Sequence, residues 1–353
     1  MLAPSTDRQK PCHHNISWFL RFNLVTAVNP AIRFRRTSWL ILLALPAVAF
    51  QAPQEPQQFP PIRVEVQLVS FNATVTDREG RAVTGLKKED FTVLENGVPQ
   101  DIAVFHDDER VPVSIGIIFD TSGSMVDKIE GVQDAAIHFA NTTNPEDDIF
   151  LIRFSSNVSL VQDFTNDRGQ LKRAIGGLHA QGSTLLYDAI LEGLEHLQAG
   201  QHKKKALLVI TDGNDTSSSV GLQETIATVQ QSEAIVYALG IGHGERGSFG
   251  HLLFGGHEDR VNIEALTAIA SASGGRAVLV EGPHHRGKVD QIDQAALQVS
   301  AELRNQYTIA YYPKNRAKDG TFRRLEIRTV NPNYTVRARN GYVAPRENAP
   351  AGR

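Results

Sequence analysis

Cysteine is almost missing from this chain: Cys12 is the single one among 353 residues. Beyond it there can be no disulfide framework, no thiol chemistry and no lipid-attachable cysteine. A transmembrane helix needs roughly 20 apolar residues, and the run Trp39–Ala47 stops well short of that. No later segment matches even this length. No Gly-x-Ser-x-Gly elbow occurs, and Ser122 and Ser124 have no evident paired base, so nucleophilic catalysis has no support. His243, His251, His257, His284 and His285 lack the i, i+4 spacing or cysteine partners of zinc sites, and read as loop residues that would rim the ligand-bearing face. Positive charge is also scarce. Six of the 36 basic residues but one of the 39 acidic residues fall within 1–49, so without that segment the net charge moves from −3 to −8. An acidic chain of this kind is not suited to a nucleic-acid partner.

The first 49 residues read as a processing segment. Arg33, Arg35 and Arg36 form a basic region, Trp39–Ala47 an apolar one, and Ala47-Val-Ala49 a small-residue cleavage site. Export with cleavage after Ala49 is the expectation, leaving no integral membrane span. The residues before Arg33 are basic and patternless, which points to a start upstream of the real one. The only other methionine is Met125, so a downstream start needs a non-AUG codon. Export without disulfides fits a bacterial envelope, with the protein secreted or periplasmic.

After a Pro/Gln-rich linker at 50–61 the pattern becomes period two, with a parity shift near Val69. Phe91-Thr-Val-Leu94 reads as a strand, and Asn96-Gly97 as a hairpin turn leading to Ile102-Ala-Val-Phe105. Strict strand–helix alternation follows. The apolar run Val113-Ser-Ile-Gly-Ile-Ile-Phe119 is that of a buried parallel strand, and a second, Lys203–Thr211, matches it. Helices are expected near 126–142, 168–177, 184–198, 222–232, 263–273 and 289–303. The result is a doubly wound, mostly parallel α/β sheet. Three more strands end the chain, at 307–312, 323–330 and 335–339. Arg323, Arg324, Arg328, Arg337 and Arg339 on them look like an anionic-partner patch, but read better as the solvated face of half-exposed strands.

The most informative stretch is Asp120-Thr-Ser-Gly-Ser124. It follows the first buried strand, at the carboxyl end where open α/β sheets place their ligands. One carboxylate and two hydroxyls put hard oxygen donors on one short loop, suited to Mg²⁺ or another oxygen-preferring cation. The second strand delivers Asp212, and the polar turn Gly182-Ser-Thr184 presents another hydroxyl. Each piece alone is equally a helix cap or a plain turn; the order and context of all three favour a site. Gly242-His-Gly-Glu-Arg-Gly247 matches the dinucleotide fingerprint. However, a Gly-rich insertion follows it rather than a helix, so it reads as a loop.

Asp-x-Ser-x-Ser, a later Thr and a later strand-end Asp together resemble the metal-ion-dependent adhesion site of von Willebrand factor type A domains. The resemblance runs from about Val113 to about Leu303. It implies that the hydroxyls of Ser122 and Ser124 bind a divalent cation directly, while Asp120, Thr184 and Asp212 bind directly or through water. The flanks widen the resemblance. Val75–Phe105, with Val75-Thr-Asp77 and Glu95-Asn-Gly97, and Leu303–Tyr342, with Gln306-Tyr-Thr-Ile-Ala-Tyr-Tyr-Pro313, look like the type A-related proteins of acidobacteria.

The resulting division is a signal region at 1–49, a linker at 50–61, a β-sandwich in two parts at 62–107 and 305–343, a type A domain at 108–304 and a tail at 344–353. The two β parts are each too short to bury a core alone, so pairing between them is expected. The implied function is an exported adhesion-type module whose Mg²⁺, or Mn²⁺ or Ca²⁺, takes an acidic residue of a protein partner. The alternatives are a structural subunit of an envelope assembly, or a metal-dependent hydrolase.

Overall fold

The described residues begin with four strands, β1 (Val69–Thr76), β2 (Phe91–Glu95), β3 (Val98–Gln100) and β4 (Ile102–Asp107). The computed structural model describes residues 67–107, 111–212, 214–242, 261–280 and 289–346. The signal region and linker, the five loop histidines, most of the Gly242–Gly247 loop and most of the tail lie outside these residues. Asn96 and Gly97 both take positive φ, 48° and 80°, the backbone of a two-residue hairpin turn. The turn joins β2 to β3, which pair antiparallel. The expected partner, Ile102–Phe105, instead lies in β4 of a different sheet.

The α/β portion alternates as β5 (Val113–Asp120), α1 (Ile129–Thr142), β6 (Asp148–Phe154), β7 (Val158–Thr165), α2 (Arg168–Gly176), α3 (Leu186–His196), β8 (Lys204–Thr211), α4 (Leu222–Gln231), β9 (Ile235–Ile241), α5 (Ile263–Ser273), β10 (Ala277–Val280) and α6 (Val289–Arg304). Its strands form one six-stranded sheet in the order β10-β9-β8-β5-β6-β7. All neighbours are parallel except β6 and the edge strand β7. Every residue of β5 is buried, as both-face coverage of a central strand demands. Alternation splits its side chains between two layers. Ile115, Ile117 and Phe119 pack with Val132 and Phe139 of α1, Leu171 of α2 and Val299 of α6. Ile118 faces Ile190 and Leu194 of α3, in the layer that holds Val229 of α4 and Leu266 of α5. Each fully buried Ile, Leu or Phe contributes about 1.5–3 kcal/mol relative to exposure.

Four more strands follow among the described residues: β11 (Gln306–Tyr311), β12 (Phe322–Thr329), β13 (Thr335–Ala338) and β14 (Gly341–Val343). They interleave with the first four, giving the four-stranded sheets β13-β1-β11-β4 and β14-β12-β2-β3. Phe71 lies opposite Ile309 in the first sheet, and Val93 opposite Ile327 in the second. Phe71, Val75 and Tyr307 of one sheet share a core with Phe91, Val93 and Leu325 of the other. The two ends of the α/β portion meet at the amino-terminal pole of β5. There Val111, Val113, Leu303 and Arg304 line one small cavity, and Asp147 Oδ1 accepts a 2.8 Å hydrogen bond from the Val113 amide.

The arginines correct the reading of them as one solvated face. Arg323 is 1% exposed, inside the sandwich. Arg323 and Arg324 are consecutive on β12, so the pleat must send one inward; Arg324 and Arg328 face solvent. Arg337 is half-buried and pairs at 2.8 Å with Glu302 of α6. Arg339 donates to the Ser70 carbonyl at 2.8 Å and lies over the Tyr342 ring. No helix among the described residues is long and apolar enough to cross a membrane.

Candidate functional site

The sheet order reverses at β5: one crossover runs outward to β6, while β8, β9 and β10 extend the other way. This is the switch point at which an open α/β sheet leaves a crevice beyond its carboxyl ends. Asp120 ends β5 and Asp212 follows β8, so both carboxylates stand at that crevice. Asp120 is fully buried. Its Oδ1 accepts from the Ser122 amide at 2.7 Å and its Oδ2 from the Thr211 hydroxyl at 2.6 Å. Burial pushes its pKa up to about 6 against these hydrogen bonds, with the nearby Asp212 charge adding to the rise.

A chain of short contacts continues from Ser122. Its Oγ lies 3.1 Å from Ser124 Oγ, and the Ser124 hydroxyl donates to Asp212 Oδ1 at 2.8 Å. Asp212 Oδ2 accepts from the Lys128 ammonium, also at 2.8 Å. Asp212, Lys128 and Ser122 are buried, whereas Ser124 is exposed and opens the group to solvent.

Thr184 sits in the loop before α3, which begins at Leu186 rather than at the expected 184. Backbone bonds tie this loop to the Asp120 loop: Gly123 N donates to Gly182 O at 2.9 Å, and Gln181 N to Thr121 O at 2.7 Å. Gly182 has φ +89°, and a Cβ there would run into the Ser156 hydroxyl of the β6–β7 turn, so this position of the loop needs glycine. Thr184 is buried. Its carbonyl accepts from the amides of Thr216 and Ser217 at 3.0 and 3.1 Å, and its amide donates to Thr216 Oγ1 at 3.0 Å. The segment 214–220 is clamped in turn to α3. Ser218 Oγ accepts from the amides of Tyr187 and Asp188 at 3.1 Å, and Asp188 accepts from Ser219 N at 3.0 Å. Ser217 and Ser219 remain exposed beside Thr184.

Asp120, Ser122, Ser124 and Asp212 are therefore one hydrogen-bonded group, with Thr184 on the adjoining loop. Two members of the group were not read from the sequence, Thr211 and Lys128. Thr211 directly precedes Asp212, an adjacency that was the available signal for it, whereas nothing in the sequence spacing marks Lys128, four residues past Ser124. The donor set suits a hard cation. A dication with oxygens at about 2.1 Å places neighbouring octahedral ligands about 3 Å apart. The Ser122–Ser124 and Ser124–Asp212 oxygen separations of 3.1 and 2.8 Å have that spacing. No group of three or more His, Cys, Asp or Glu able to hold a metal occurs among the described residues, so a zinc-type centre has no candidate there.

Comparison with known proteins gives a family match over the α/β portion. Residues 114–283 match the model of the von Willebrand factor type A domain. The bovine (Bos taurus) inter-alpha-trypsin inhibitor heavy chain H4 is 26% identical over 148 residues, 37% of this chain and 16% of its own length. The chain thus spans a small part of that relative. Among solved structures, the von Willebrand factor type A protein from Catenulispora acidiphila is 14% identical, with a TM-score of 0.46, covering 81% of this chain and 76% of its own. BatB from Bacteroides thetaiotaomicron is 19% identical, with a TM-score of 0.43, covering 53% of this chain and 97% of its own. Residues 114–283 of this chain are a von Willebrand factor type A domain, one of a family of adhesion and protein-interaction modules.

Proposed function

We propose that this chain is an exported, cation-dependent protein-binding module. The observation that carries the reading is the close group of Ser122 Oγ, Ser124 Oγ and Asp212 Oδ1 at the switch-point crevice. A divalent cation, Mg²⁺ or else Mn²⁺ or Ca²⁺, would be held by the two serine hydroxyls. Asp120, Thr184 and Asp212 would bind it directly or through water. Five protein oxygens leave one octahedral position for a carboxylate of a partner protein. When bound, the cation supplies the charge that a carboxylate seeks. The chain's own residues orient it, and the exposed Ser217 and Ser219 border the place where a partner arrives.

Binding is favoured over turnover because both carboxylates are engaged. Asp120 holds Ser122 N and Thr211, and Asp212 holds Ser124 and Lys128. Neither is disposed as a general base. The sandwich built from 62–107 and 305–343 would act as a stalk at the opposite pole of β5, turning the crevice outward. The signal-like segment at 33–49 supports a secreted or periplasmic location as part of this proposal. Calorimetry with Mn²⁺ on the wild type and Asp120→Ala tests the cation. Partner capture from native envelope with and without chelator tests the binding. Undiminished Mn²⁺ binding by Asp120→Ala would remove these five residues from the assignment.

A further inference from the structure

The ammonium of Lys128 is an unexpected third charge at the crevice. It lies 2.8 Å from Asp212 Oδ2, and both side chains are withdrawn from water, 6% and 0% exposed. A lysine is seldom buried this far without a purpose for its charge. Lys128 lies on the stretch between the Ser124 turn and α1, its amide bonded to the Met125 carbonyl at 2.9 Å. The ammonium is thus delivered by the same loop that carries Ser122 and Ser124. Asp212 is engaged on both oxygens, by Ser124 on one and by Lys128 on the other, with lone pairs left on each.

We infer that Lys128 is a built-in counter-cation of the site: it holds Asp212 when no metal is bound, and weakens the metal's hold when one is. This rests on the proposal that the Ser122, Ser124 and Asp212 oxygens receive a divalent cation. Without a cation, Asp120 and Asp212 are two buried carboxylates in one crevice, and Lys128 is the charge that offsets their repulsion. With a cation bound, the Asp212 carboxylate is shared between a dication and the ammonium, which repel each other in a medium of low polarity. The lysine therefore favours the cation-free state over the loaded one. It also leaves the loaded site with a net charge of about +1 rather than zero, counting two carboxylates, one ammonium and one dication.

The test is Mn²⁺ calorimetry on the full chain, paired with thermal unfolding in chelator and in excess Mn²⁺. The proteins are wild type, Lys128→Met, Lys128→Gln and Lys128→Arg. Lys128→Met should bind Mn²⁺ about tenfold more tightly, or better, because the repelling charge is gone. It should also melt lower in chelator and gain more from Mn²⁺ than the wild type does. Lys128→Gln keeps a donor for Asp212 without the charge, so it should stay folded and still bind more tightly. Lys128→Arg should keep wild-type affinity. A merely structural lysine would lower stability in both conditions and leave affinity unchanged or weaker. That outcome for Lys128→Gln overturns the inference while the cation site stands. Failure of wild type and all variants to bind Mn²⁺ overturns the cation site, and the inference with it.

Discussion

The hydroxyl of Tyr311 donates a 2.6 Å hydrogen bond to Glu95 Oε2 across 216 residues of intervening chain. The whole type A domain lies between them, so this bond joins the two sequence-distant halves of the sandwich. Tyr342 adds a second hydroxyl to the same oxygen at 2.9 Å, and Arg323 places its guanidinium 3.6 Å from Oε1. Glu95, Tyr311 and Arg323 are all at most 2% exposed. Burial pushes the Tyr342 hydroxyl up to about 12 and raises that of Tyr311, with Glu95 contributing to both, so both remain donors at neutral pH.

Removing Glu95 should therefore destabilise the protein strongly. Glu95→Ala leaves Arg323 without a buried carboxylate and two tyrosine hydroxyls without their acceptor. Breaking a buried pair in this way costs about 3–5 kcal/mol. Urea unfolding measures it, and a loss below about 1 kcal/mol would show that water replaces the carboxylate there.

The other partner of Arg323 sets a pH dependence. Asp319 is held down at about 2 by hydrogen bonds from the Thr321 amide and hydroxyl, then from Arg323. Its folded pKa lies below the ordinary value of 3.8, so the ionised group's contribution is present above 3.8 and lost as pH falls through about 2. Asp319→Asn should lower stability at pH 7 and make no difference near the acid end. Equal stability of the two proteins at pH 7 would remove Asp319 from the account.

Much of this architecture was legible because it is governed by local pattern. β5 announces itself by an unbroken apolar run, and Asn96-Gly97 by the positive φ it tolerates. What was not legible depends on reach and on pairing between distant strands. β3 is three residues long and carries little pattern, so the hairpin was assigned to the stronger apolar run at Ile102. Arg323 was placed with its neighbours by residue type, although strict alternation with Arg324 already required one of them inside. Lys128 returns to Asp212 along a flexible four-carbon stem, and sequence spacing does not show where such a stem ends. Asp120, Ser122, Ser124 and Asp212 were legible as a group because each sits at or just past a strand end, where the fold dictates the direction.

Chelation should leave the protein folded. Each carboxylate of the crevice already has protein partners, Ser122 and Thr211 for Asp120, Ser124 and Lys128 for Asp212. The sheet beneath is held by apolar burial on both faces. Circular dichroism in excess chelator should show unchanged secondary structure, unlike a zinc-dependent fold, which melts on metal removal. Loss of the helical signal would mean that the cation is structural.

Partner binding should depend on Thr184 and on the cation together. A cation-loaded site would carry two carboxylates, one ammonium and one dication, so a carboxylate approaching it would meet a small positive charge. The rest of the chain is acidic and repels an acidic partner at long range, so affinity must come from contact at the crevice rather than from steering. The loop of Thr184 is bonded both to the Asp120 loop, through Gly123 and Gln181, and to the exposed segment of Ser217. Thr184→Ala removes the hydroxyl while keeping those backbone bonds, so the fold should persist while capture of the partner is lost. Moderate salt should change capture little, because the deciding contacts are buried at short range. Capture that survives both chelator and Thr184→Ala would move the binding surface to the outward arginines of β12, Arg324 and Arg328, where strong salt dependence would follow instead.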